Sequence, residues 1–96
     1  MLQINYTKGK YELKGSLELE NSKSLLSYFN TLLKYDSKIV LSLKNLKTID
    51  TSGIEALKEL YKTAATHNKR VKIFRKVNEK IAWILNEPKL KGIIKS

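Results

Sequence analysis

The sequence predicts an α/β fold, a mixed sheet of four to five strands covered by three to four helices. Three observations carry this. Leu2, Ile4 and Tyr6 alternate with polar residues, the period of two that marks a half-buried strand. Two later segments repeat apolar residues at the spacing of a helix face. Between them, Ile39-Val40-Leu41-Ser42-Leu43 is the most apolar run of the chain, which suits a central, covered strand.

Taken in order, Leu2–Tyr6 forms the first strand, Thr7-Lys8-Gly9-Lys10 a turn, and Tyr11, Leu13 and Leu17 a second strand, broken near Gly15-Ser16. The two strands pair as a hairpin. A first helix starts at Asn21 or Ser22, with Leu25, Leu26, Phe29, Leu32 and Leu33 as its core stripe and Tyr28 beside it. Tyr35-Asp36-Ser37-Lys38 turns into the apolar strand Ile39–Leu43. Lys44-Asn45-Leu46-Lys47 then leads as a loop into a second helix from about Ser52 to Thr66. Its predicted inner face is Ile54, Leu57, Tyr61, Ala64 and Ala65. His67-Asn68 closes that helix. Arg70–Phe74 is a strand with Val71 and Ile73 on one face and Phe74 on the other. Asn78 caps a third helix to about Asn86, with Ile81, Ile84 and Leu85 inward and Trp83 off that face. Pro88 ends the helix, and Gly92-Ile93-Ile94 forms a short edge strand or a packed tail. No linker or repeat interrupts the 96 residues, which are expected to form a single domain over 1–96.

The chemistry concentrates at the start of the second helix. Asp50, Thr51 and Ser52 are all residue types that cap helices, because a short side-chain oxygen accepts from the unpaired N–H groups of the first turn. Gly53 permits close approach of another surface to the backbone. A phosphate on a hydroxyl here would lie at the positive end of the helix dipole, among free N–H donors.

Asp50-Thr51-Ser52-Gly53-Ile54, after a buried strand and before a long helix, resembles the phosphorylation-site motif of STAS domains, the family of SpoIIAA-like bacterial anti-sigma factor antagonists. The family pattern is an Asp, two small or hydroxyl residues, a Gly and an apolar residue, and the order of elements matches over nearly the whole chain. The resemblance implies the STAS fold, with Ser52 as the modified residue and Thr51 as the alternative. It implies a partner surface of Asp50, Thr51, Ser52, Gly53 and Ile54. The family's second strand ends in a Gly-x-apolar-Asp signature, and Gly15-Ser16-Leu17-Glu18 stands there, so Glu18 joins that surface with an acid one methylene longer. The family commonly carries an Asp near the end of the apolar strand, where this chain has Ser42.

By the same resemblance, the unmodified protein binds an anti-sigma factor serine kinase and so releases the sigma factor. The kinase phosphorylates Ser52, and a phosphoserine phosphatase reverses the step. The partners are proteins, and the free chain is expected to be a monomer. An alternative within the family is an accessory STAS subunit of a transport ATPase or a stress-signalling complex. A third, from another class, is a basic nucleic-acid-binding protein.

Composition narrows the field. Without cysteine there is no disulfide or thiolate metal site, and one His leaves little for zinc or triad chemistry. No Walker-type loop or HExxH occurs. Glu55 and Glu59, four apart on the second helix, read as a solvated pair beside Lys58 and Lys62. The chain therefore reads as acted upon rather than as an enzyme, with no metal and no cofactor. Met1-Leu2-Gln3-Ile4-Asn5 turns polar at once, unlike a secretion signal, and no apolar run approaches a membrane span, so a cytoplasmic protein without membrane insertion is expected. The formal charge of +10 favours an acidic partner, but nearly all of it is lysine spread along the chain, which reads as a solvated coat. With only Arg70 and Arg75 for bidentate base contacts, direct DNA binding is not expected.

Overall fold

The structure, a computed structural model, describes residues 1–74 and the strand Ile94–Lys95. The predicted third helix (Asn78 to Asn86), its residues Ile81, Trp83, Ile84 and Leu85, and Pro88 lie outside the described residues. Strands β1 (Leu2–Thr7), β2 (Lys10–Leu17), β3 (Lys38–Ile49), β4 (Arg70–Phe74) and β5 (Ile94–Lys95) form one mixed sheet in that order. Helix α1 (Leu19–Leu32) joins β2 to β3, and helix α2 (Thr51–Thr66) joins β3 to β4. Pairing is antiparallel for β1–β2 and parallel from β2 to β5. Ile94 enters a short edge strand, while Gly92 and Ile93 of that expected strand lie outside the described residues.

The hairpin turns at Lys8 and Gly9, both at positive φ (52° and 81°), the backbone that a two-residue hairpin of matching twist needs. The second strand is not broken at Gly15. It runs through to Leu17, because Gly15 takes φ 102°, and the β2–β3 register shifts beside it while pairing continues. A Cβ at Gly15 would collide with the carbonyl oxygen of Met1, which accepts from Ser16 N–H at 2.9 Å. Gly15→Ala is therefore expected to cost about 1–2 kcal/mol in a urea titration, from positive-φ strain plus a displaced terminal residue. A loss below about 0.3 kcal/mol would contradict this.

β3 is longer than its apolar run. The predicted loop Lys44–Lys47 is strand, and β3 continues to Ile49. Two shifts against β2 place extra residues in β3, so the alternation that marks a strand is interrupted there. Among the described residues, helices cover the sheet on one side only. Consecutive strands advance in one direction, so the right-handed crossovers through α1 and α2 put both helices on the same face. Leu13, Leu17, Ile39, Leu41, Leu43, Leu46, Val71 and Ile73 point into the core beneath them, while Val40 and Ser42 lie half-buried on the other face.

The helices start and pack slightly differently from their sequence pattern. α1 begins two residues early, at Leu19, and buries Leu25, Phe29 and Leu33, with Leu26 and Leu32 at the margin. Tyr11 stands edge-on to Phe29 at 5.3 Å between centroids, and Tyr28 flanks it, which joins the hairpin to α1. The inner face of α2 is Gly53, Ile54, Ala56, Leu57, Leu60 and Ala64. Tyr61 is only half-buried and Ala65 is exposed, so the stripe is rotated toward Leu60 and Ala56. The helix–helix contact with α1 decides this, since small Ala56 fits where two helices approach.

Candidate functional site

β2 and β3 end level with one another, Leu17 opposite Ile49, and both helices spring from that edge. This is the carboxyl end of parallel strands, where open α/β sheets present their binding crevices. Asp50 follows directly. Its N–H donates to the Leu17 carbonyl at 3.2 Å, which extends the ladder by one bond. Its carboxylate then serves both helices. Oδ1 accepts from Gly53 N–H at 2.9 Å and caps α2, and Oδ2 accepts from Leu19 N–H at 3.1 Å in the first turn of α1. Of the three candidate caps, Asp50 is the one used. Two helix dipoles converge on one carboxylate, which suits its charge.

Gly53 is buried where α2 crosses the end of β2. A Cβ there would meet the Leu17 carbonyl oxygen, Ile49 Cγ1 at 2.8 Å and Leu17 Cγ at 2.9 Å. The glycine's close approach is thus to the chain's own β2. Thr51 and Ser52 occupy the first two positions of α2, Thr51 exposed and Ser52 half-buried. Their N–H groups precede the first intrahelical bond, Ile54 N–H to Asp50 O at 3.0 Å, and have no acceptor among the described residues.

Ser52 opens onto a groove of about 410 Å³ between the helices. Leu19, Ser22 and Leu26 line it from α1, and Thr51, Ser52 and Ala56 from α2. Lys23 stands on one rim, Glu55 and Glu59 on the other. Glu55 also pairs with Lys58 at 3.3 Å along α2, one of the lysines expected beside the two glutamates.

Two expected site residues fall elsewhere. Ile54 is buried in the core, where it anchors α2 rather than lining the groove. Glu18 occupies the N-cap position of α1, with its N–H held by Asn21 Oδ1 at 2.9 Å, and does not line the groove. Asn21 Nδ2 also donates to Ser16 O at 2.8 Å, tying α1 to the end of β2. Leu19 was not anticipated. It is 71% exposed and lines Ser52's groove, and its one signal in the sequence is an apolar residue seven positions before Leu26, ahead of the expected helix start. His67, at the far end of α2, holds the Thr63 carbonyl through Nδ1 at 2.9 Å, a cap as expected.

Among curated proteins none matches the chain by sequence. Solved structures do match. The anti-sigma factor antagonist SpoIIAA in its unphosphorylated form superposes with a TM-score of 0.78 at 12% identity, over 99% of this chain and 86% of that one. The phosphorylated form of SpoIIAA, a Bacillus cell fate determinant, gives 0.69 at 12% identity over 99% and 89%. The STAS domain of a SulP transporter from Vibrio cholerae gives 0.56 at 16% identity over 94% and 75%. At such identities the likeness concerns the fold. The family model of the STAS domain matches residues 2–94, from the first strand to the last, and the chain belongs to the STAS domain family.

Proposed function

We propose that this protein is an anti-sigma factor antagonist, a binding module switched by phosphorylation of Ser52. The observation that carries the reading is the position of Ser52. It is half-buried at the second residue of α2, beside two N–H donors with no acceptor among the described residues, at the mouth of an interhelical groove with exposed Leu19 alongside. Unmodified, this surface docks on an anti-sigma factor serine kinase and frees the sigma factor. Thr51, Ser52 and Leu19 supply the contact, while Asp50 and Gly53 fix its shape from beneath. Phosphate on Ser52 adds a charge of about −1.5 to −2 close to Asp50 and Glu55, which opposes docking by repulsion and desolvation. A phosphatase restores the bound state. SpoIIAA, the structural neighbour, is known in phosphorylated and unphosphorylated forms, which supports a switch of this kind. The chain carries out no chemistry of its own in this scheme and works in the cytoplasm.

The SulP neighbour is a domain within a transporter, so an accessory role beside a membrane complex is the second reading. The two separate on one titration. A pull-down from the native host identifies the partner, and phosphopeptide mapping is expected to place phosphate on Ser52; phosphate confined to Thr51 rejects the assignment. Ser52→Ala should then bind the partner as wild type does and become insensitive to ATP. Ser52→Asp should bind about tenfold more weakly, or ~1.4 kcal/mol, in calorimetry, while melting no lower than wild type, because a carboxylate suits a helix start. Equal binding by Ser52→Asp moves the accessory role ahead.

A further inference from the structure

The lysines that are scattered in sequence are sorted in space. Strand register places Lys10, Lys14, Lys38, Arg70 and Lys72 on the face of the sheet opposite the helices, and all five are exposed. Lys44 and Lys47 add exposed cations where β3 departs from regular register. Glu12 is the one acid that shares this register among the described residues, and the Asn45 amide occupies it at 3.1 Å. Among the described residues the ion pair present is Lys58–Glu55, on α2, and no cation of this face is ion-paired within them. Lys38 and Arg70 are direct cross-strand partners, a like-charge pairing that disfavours the sheet unless a counter-charge sits over it.

An aromatic ring lies among these charges. Phe74 is half-buried on the same face, with Lys10 Nζ 4.7 Å and Lys72 Nζ 5.3 Å from its centroid. The two ammoniums reach it from strands on either side of β3. The hydroxyls of Ser16 and Thr48, bonded to each other at 2.8 Å, complete a polar surface.

We infer that this open sheet face binds single-stranded nucleic acid without sequence preference. The cations meet phosphates, and Phe74 offers a stacking surface once Lys10 and Lys72 swing to the backbone. A bilayer would use the charges but has no use for a ring ringed by lysines, and an acidic protein would not need the face's breadth of unpaired charge. The scarcity of arginine, which argues against base readout, is consistent with non-specific binding. The face lies across the sheet from the Ser52 groove, so the inference stands apart from the switch.

The test is fluorescence anisotropy of a labelled uridine 20-mer with the full chain, from low to physiological salt. Five phosphate contacts predict a log–log salt slope of about −3.5 and binding in the micromolar range at low salt. Lys38→Glu/Arg70→Glu should weaken binding more than tenfold. Lys34→Glu/Lys62→Glu, with the same charge change on the helix side, should weaken it less than threefold. Phe74→Leu, which keeps apolar volume, should weaken it about fivefold with melting unchanged. Equal losses for the two charge reversals would mean that net charge alone binds, and would overturn the proposal. So would no binding at low salt, or capture by phosphatidylserine vesicles through Lys38 and Arg70 with no affinity for the oligonucleotide.

Discussion

Gly53→Ala is expected to destabilise the protein by about 2–3 kcal/mol, although alanine is the better helix former by up to ~1 kcal/mol. The added methyl has nowhere to go. It would press on the Leu17 carbonyl oxygen and lie 2.8 Å from Ile49 Cγ1 and 2.9 Å from Leu17 Cγ. Both side chains belong to fully or nearly fully buried core residues, so they cannot swing into solvent. The carbonyl cannot retreat cheaply either, because it accepts from Asp50 N–H. Relief requires the first turn of α2 to lift from β2, which would also move Ser52. For a domain of this size the loss corresponds to a Tm lower by roughly 10–20 °C. On the proposed function, partner binding should weaken beyond the stability effect, since the groove proposed for docking shares that turn. A melt within about 2 °C of wild type would show that α2 is not seated on Leu17 as described.

Asp50→Ala is expected to cost about 2–3 kcal/mol, more than the ~1 kcal/mol typical of one lost cap. The carboxylate accepts at 2.9 Å from Gly53 in α2 and at 3.1 Å from Leu19 in α1, and both donors would be left unpaired. The substitution should loosen the two helix starts together, visible as faster amide exchange at Leu19 and Gly53 alike. Asp50→Ser separates the two contributions. A single short hydroxyl can cap α2 but cannot also reach Leu19, so about half of the loss should return. If Asp50→Ala exposes Gly53 to exchange and leaves Leu19 protected, the carboxylate does not bridge the helices.

These two residues show how far the sequence could be read. Asp50 was legible as one of three caps, because a short acid before an apolar helix pattern has few other uses. Its second acceptor bond was not, since Leu19 lies 31 residues away and no local pattern reports where another helix begins. Gly53 was legible as a place of close approach, but the surface that approaches is Leu17 of the chain itself. The loop expected at Lys44–Lys47 is strand because parallel pairing with β2 tolerates extra residues in β3, and those residues break the period of two by which strands are recognised.

Legible in the sequence alone were the order of the described elements, the inward residues of most strands, the stripe of α1 and the position of Asp50-Thr51-Ser52-Gly53 at a helix start. All are local patterns, written in periods of 2 and 3.6 and in cap chemistry. It took the packing of elements remote in sequence to turn Leu60 and Ala56 of α2 inward, to set Leu19 at the Ser52 groove, to withdraw Ile54 from it, and to gather distant cations across the sheet. Those depend on which elements meet, and on a strand order that puts the crossovers through α1 and α2 on one face, with the cations on the other.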